Sequence, residues 1–359
     1  MIRKLLSLIL FSFTLCAAYA QQIGTWRLYL SYQIATKSAS SGSIIYSLMN
    51  GNLLSYDTED GEVRTYDHLG VLSDVGIAHI AYSKEADRLL IVYSNSNIDL
   101  LDKDDNVQNL SALKDKRILN KEVASVCMNG STAYLATGFG IVEVDMKDCV
   151  FRNTYKLTYT INSIAASDEA VFIGTPEGVR YCMKSSNMHL EENWKMRLTW
   201  GGKNLCFFKD KLIGMTTDGL YVLDPYKGNI QPRLCSGNFT FMKDLGGQLA
   251  WGNSKMIGFT SDVSGEDPTA LEAASTIITV DNVWSDISYV GGTYWMSEQE
   301  NGLCGYKTDG TAFAPTGQVI QPSSPIRDLG YNLNWVGDRL LVAGGINTVS
   351  GFKNPATAM

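Results

Sequence analysis

One unit recurs along this chain. It consists of an apolar alternating run, a tight turn, a second alternating run and a closing polar residue. Eight copies begin at Ile44, Leu89, Thr132, Ala170, Lys211, Gln248, Thr293 and Arg339, spaced between 37 and 46 residues apart. "TAYLATGFGIVEVD" from Thr132 and "KLIGMTTDGLYVLD" from Lys211 show the pattern well. Apolar side chains at every second position suit strands with one buried face. Asn-Gly, Gly-Phe-Gly, Glu-Gly or Asp-Gly between the runs supplies the positive φ of tight hairpin turns. A further strand candidate precedes each hairpin, such as "IAHIAYS" from Ile77 or "VASVCMN" from Val123, and a more polar stretch such as "CVFRNTYKL" from Cys149 follows it. Four strands at a period of about 40–45 residues describe one blade of a β-propeller.

A blade cannot bury both faces alone, so blades pack around a ring. The expected fold is all-β: seven hairpins between Ile44 and Lys307 make a seven-bladed propeller of four-stranded blades within residues 21–325. "TWRLYLSYQ", Thr25 to Gln33, has no hairpin of its own and is expected to close the ring. The eighth hairpin follows the Pro- and Ser-rich "QVIQPSSPI", which reads as a linker. A lone blade exposes apolar strand edges, so residues 326–359 read as the start of a second propeller or a terminal blade, an eight-bladed ring being the alternative. Helical patterns are scarce. "DPTALEAAS", Asp267 to Ser275, is the best candidate, with Asp267 as cap and Pro268 in the first turn.

The N-terminus carries Arg3 and Lys4, an apolar core from Leu5 to Leu15, and the small-residue ending Ala18-Tyr19-Ala20. This is the pattern of a secretory signal peptide over residues 1–20, cut between Ala20 and Gln21. The apolar run is short of the roughly 20 residues a membrane span needs, and no later run reaches that length. The mature chain is expected to be exported, to the periplasm or cell surface, without a transmembrane segment. Cleavage removes only Arg3 and Lys4 from the charge balance, taking −7 to −9. With no basic patch to follow a phosphate backbone, nucleic acid is not an expected partner. Six cysteines remain, at wide and irregular spacing: Cys127, Cys149, Cys182, Cys206, Cys235 and Cys304. At most one or two disulfides are expected, with no zinc-site spacing. Cys127 and Cys206, in alternating apolar runs, read as buried free thiols.

Chemistry-bearing motifs are sparse. His68, His79 and His189 fall in different blades with no partner at metal-ligand spacing, and read as surface or internally satisfied residues. Asp57, Asp102, Asp145 and Asp224 close hairpins at equivalent positions, which points to turn structure rather than a catalytic pair. No nucleophile elbow, phosphate loop or calcium loop occurs, so neither a catalytic residue, a cofactor nor a metal is expected. Trp194 and Trp200 flank the basic stretch of "NWKMRLTW" and are weak candidates for stacking on a sugar. Blade-to-blade packing is the competing role for large aromatics in a propeller.

"TTDGLYVLD" and "LGVLSDVGIAHIAYS", Leu69 to Ser83, resemble the regulator-type propeller repeats of bacterial two-component sensors. "IGTWRLYLSYQIAT", Ile23 to Thr36, and "STAYLATGFGIVEVDMKDCVFRNTY", Ser131 to Tyr155, resemble PorZ-like proteins of the type IX secretion system. That resemblance implies two propellers followed by a small β-sandwich sorting domain. It also implies a place at the cell surface, association with the sortase complex and a role with anionic lipopolysaccharide. The expected function is a non-enzymatic exported binding scaffold, whose partner is an envelope protein complex or a surface glycan or lipopolysaccharide. The alternatives are the extracytoplasmic sensing propeller of a hybrid two-component regulator and, behind it, a polysaccharide-degrading enzyme.

Overall fold

The computed structural model describes residues 28–353, apart from 200–201, 227–232, 266, 281, 326–329, 338, 345 and 349–350. Seven four-stranded antiparallel sheets follow one another, each from one continuous stretch of chain and each in simple sequential order. Their first strands are Ala35–Ser41, Ile77–Ser83, Val123–Asn129, Ser163–Ala166, Asn204–Phe208, Phe241–Asp244 and Trp284–Val290. Each first strand packs against that of the next blade, and the seventh against the first, so the ring is closed with these strands nearest its axis. Among the described residues seven buried apolar clusters make up the core, most of them drawing on two adjacent blades; Leu90 and Val92, for example, pack with Leu135 and Val144. This is the seven-bladed propeller that the hairpin spacing predicts. The eighth hairpin pairs Gly330–Val336 with Arg339–Gly344 outside the seven blades, and a small hairpin, Ile346–Thr348 with Gly351–Lys353, follows.

The closing strand differs from expectation. Residues 28–34 form no strand, and Thr25 to Arg27 lie outside the described residues. Blade 1 begins instead with Ala35–Ser41, "ATKSASS", paired with Ile44–Met49. Its sequence has low strand propensity, but beside the axis neighbouring strands crowd together and small side chains fit. The preceding segment still ties the ring: Tyr32 N–H donates to Ser324 Oγ at 3.0 Å and Gln33 Nε2 to the same oxygen at 3.0 Å. Between blades 7 and 1, Tyr32, Ile45, Met49 and Tyr56 bury Trp295 and Leu303.

The recurring turn has a second cause besides φ. Gly140 opens the third strand of blade 3, and a Cβ there would lie 2.0 Å from the Tyr155 carbonyl oxygen of the fourth strand. Gly219 in blade 5 has no positive φ, yet its Cβ would meet Cys235 O at 2.5 Å. Close approach of the fourth strand therefore selects glycine at this point of the repeat. Three residues earlier, Thr137, Thr175 and Thr216 donate their hydroxyls to the carbonyls of Gly140, Gly178 and Gly219 at 2.9, 2.8 and 3.0 Å. Thr-x-x-Gly is thus a closed local unit. The expected helix forms as Pro268–Ala273, capped by Asp267 Oδ1, which accepts from Ala270 N at 2.8 Å.

Candidate functional site

The acids that close the hairpins do turn work. Asp57, Asp102 and Asp145 accept backbone N–H groups two residues on, from Glu59, Asp104 and Lys147, each at 2.9 Å. Asp224 does the same for Tyr226 at 3.0 Å. These Asx turns join third to fourth strands, spread around the rim of the ring. Trp194 is 2% exposed, packs among Ile173, Cys182 and Met188, and donates its indole N–H to Met188 O at 3.0 Å. No ring face is left open for a sugar, so Trp194 has the packing role. Trp200, like the junction of Ala20 and Gln21, lies outside the described residues.

Near the axis the free edges of the first strands present unpaired backbone groups, and side chains of neighbouring blades satisfy several of them. Lys37 Nζ donates to Ala78 O at 2.9 Å, and the His79 ring meets Val123 O through Nε2 at 2.9 Å. A carbonyl only accepts, so Nε2 carries the proton and Nδ1 accepts from Lys37 Nζ at 3.0 Å. Burial, then the Lys37 charge, pull the His79 pKa down to about 4, and the ring is neutral at pH 7. Burial also lowers the Lys37 pKa, a shift that Asp286 opposes and Lys243 reinforces. On the other side, Lys243 of blade 6 reaches past blade 7 to Ser38 O of blade 1 at 2.6 Å and pairs with Asp286 at 2.9 Å. His79 is thus a satisfied structural residue. His68 is exposed, and His189 packs against the Tyr155 ring at 4.9 Å between centroids.

All six cysteines from Cys127 to Cys304 carry free thiols. Burial pushes Cys127 up to about 11 and raises Cys206 as well, which keeps both protonated and unreactive. Among the described residues no group of three or more His, Cys, Asp or Glu side chains is placed to hold a metal ion. No helix among them is long and apolar enough to cross a membrane.

Antiparallel order sends the second-to-third turns and the interblade connections to the same face of the ring. On that face, between blades 6 and 7, lies a cleft of about 670 Å³. Asn238 enters it from the connection before blade 6, Asn253 and Lys255 from that blade's turn, Val283 and Trp284 from the start of blade 7, and Gln299 from its turn. Sequence reasoning missed this site, although one signal was present: the Thr-x-x-Gly turn of blades 3 to 5 becomes "NSKM", Asn253 to Met256, in blade 6.

The class these observations define is the seven-bladed β-propeller of sequentially wound, four-stranded blades. Within that class the chain is similar to PorZ: residues 45–195, which span most of the first four blades, match the family model described as "TSS9, PorZ, N-terminal beta-propeller domain". The solved structure of PorZ from Porphyromonas gingivalis, described as an essential bacterial surface component of the type IX secretion system, is similar over 90% of this chain, at 21% identity and a TM-score of 0.79. This chain spans 43% of that protein. More distant rings share the fold. A chain of the mitotic checkpoint complex is 12% identical, with coverage of 80% of this chain and 95% of that one and a TM-score of 0.57. YCF48 bound to D1 peptide is 12% identical, with coverage of 81% and 97% and a TM-score of 0.55. No curated protein matches the chain.

Proposed function

We propose that this chain is the N-terminal ring of an exported, non-enzymatic scaffold of type IX secretion, which engages an envelope protein complex in the periplasm or at the cell surface. The observation that carries this reading is the family match over residues 45–195. The shared ring over 90% of the chain agrees with it. Residues 1–20 act as the export signal, cut between Ala20 and Gln21. Residues 326–359 begin a second ring. Leu333 and Trp335, two positions apart on one strand and so on one face, are 62% and 66% exposed, an apolar surface that a following blade would cover.

Within this reading the sortase complex is the protein partner and anionic lipopolysaccharide the glycan. The test uses the mature chain from Gln21, tagged and crosslinked in intact cells of the organism that encodes it, followed by mass spectrometry of the captured envelope proteins. Outer-membrane secretion and sortase components, with lipopolysaccharide in the eluate, are expected. Capture of an inner-membrane histidine kinase in their place would favour the sensor role and overturn the proposal.

A further inference from the structure

We propose that the cleft between blades 6 and 7 binds an extended peptide segment carrying an acidic side chain. The inference does not depend on the secretion role. The cleft lies where the repeat departs from its own rule. In blade 6 the Asn253 carboxamide replaces the threonine hydroxyl: its Oδ1 accepts from Lys255 N at 2.8 Å and Met256 N at 3.1 Å. Its Nδ2 donates to Asn238 O at 3.0 Å, which welds the turn to the strand-entry loop and holds Lys255 at the rim. The opposite wall is equally fixed. Glu298, 2% exposed, accepts from Trp284 Nε1 at 3.0 Å, Asn301 Nδ2 at 2.8 Å and the Tyr306 hydroxyl at 2.5 Å. Both walls are therefore held before any ligand arrives, which lowers the cost of binding.

The lining decides the class of ligand. The side-chain amides of Asn238 and Gln299 each offer a donor and an acceptor, the complement of a peptide backbone. Val283, 46% exposed, offers an apolar contact for a side chain. Lys255 is the charged residue of the lining, which contains no carboxylate, and Lys203 adds a second ammonium 3.4 Å from Asn238 Oδ1. That charge favours an acidic ligand. A sugar is the weaker fit, because Trp284 is 3% exposed, its N–H is engaged, and Tyr306 and Phe313 each lie 5.3 Å from its ring. No aromatic face is free for stacking. The volume falls within the range of natural ligand pockets.

The test is panning of the mature chain against a phage-displayed random heptapeptide library, followed by fluorescence anisotropy with a labelled copy of the dominant peptide. Enriched sequences should contain Asp or Glu. Lys255→Glu and Val283→Asp, both at exposed positions, should each raise Kd at least tenfold without lowering Tm. Lys116→Glu, on the loop before blade 3, should leave Kd unchanged. Failure to enrich any peptide, enrichment without an acid, an unchanged Kd in Lys255→Glu, or an equal loss in Lys116→Glu would overturn the proposal. The secretion reading is tested separately by envelope capture, so either can fail alone.

Discussion

The backbone N–H of Ser38 in the first blade donates to Asp286 Oδ2 in the last across 2.8 Å, joining residues 248 positions apart. The same carboxylate holds Lys243 of blade 6 at 2.9 Å, and Ser38 Oγ meets Ser288 Oγ at 2.8 Å. Three blades therefore meet at one carboxylate, and the ring shuts through side chains where, among the described residues, no strand is exchanged between its ends. Removing that carboxylate leaves the Ser38 N–H without its acceptor and the half-buried Lys243 ammonium, still bonded to Ser38 O, without its counter-charge. Asp286→Ala should cost about 2 kcal/mol. On a ring of this size that is a fall in Tm of about 3 °C, read by calorimetry. Lys243→Met should rescue part of the loss, so the double variant is more stable than the summed single effects.

The close approach at the repeat glycine predicts an unequal pair of substitutions. Gly140→Ala drives a Cβ into the Tyr155 carbonyl at a φ of 136° and should cost about 2–4 kcal/mol. Gly61→Ala, at a φ of 78° with nothing within 4 Å, meets only backbone strain and should cost about 1 kcal/mol. Urea unfolding of the two variants compares them directly. Equal costs would mean that φ alone selects the glycines.

The repeat, the blade count and the helix capped by Asp267 were legible in the sequence because each rests on local pattern: alternation, turn residues, a cap. The closure was not. Ala35–Ser41 has neither alternation nor strand propensity, and it is a strand because Ile44–Met49 and the neighbouring blades supply its partners. Thr25–Gln33, with its aromatic and apolar residues, carried the stronger strand signal, yet residues 28–33 run as an irregular segment bound to Ser324. The cleft was hidden for a related reason. Its walls come from four segments between Asn238 and Gln299, and only the Asn253 and Glu298 hydrogen-bond networks show that they are held in place. Trp194 drew attention because a tryptophan beside basic residues looks like a binding surface, whereas its burial depends on the chain around Met188.

His79 makes the ring sensitive to mild acid. Its pKa is lowered from 6.5 to about 4 in the fold, where it faces the Lys37 ammonium with Lys243 and Asp286 close by. An unfolded chain takes up a proton below pH 6.5 that the folded ring refuses, so stability falls as pH drops from 6.5 towards 4. The loss is at most about 3 kcal/mol. His79→Gln keeps a donor for Val123 O and should flatten the Tm profile across this window. An unchanged slope would show that other groups set it.

Trp194 should matter for stability and not for recognition. Trp194→Ala opens a core cavity and should cost about 3–5 kcal/mol. Trp194→Phe should recover much of that, and its envelope-capture profile should match the parent chain. Loss of a captured partner with unchanged Tm would return Trp194 to the binding surface.

The central proposal is that this ring is part of a type IX secretion component, and the gene's deletion tests it most directly. The measurement is quantitative proteomics of the medium, the cell surface and the periplasm, with and without the gene. The account predicts that proteins exported across the outer membrane by this route disappear from the surface and medium and accumulate in the periplasm, and that the restored gene reverses this. An unchanged distribution of those proteins would contradict it.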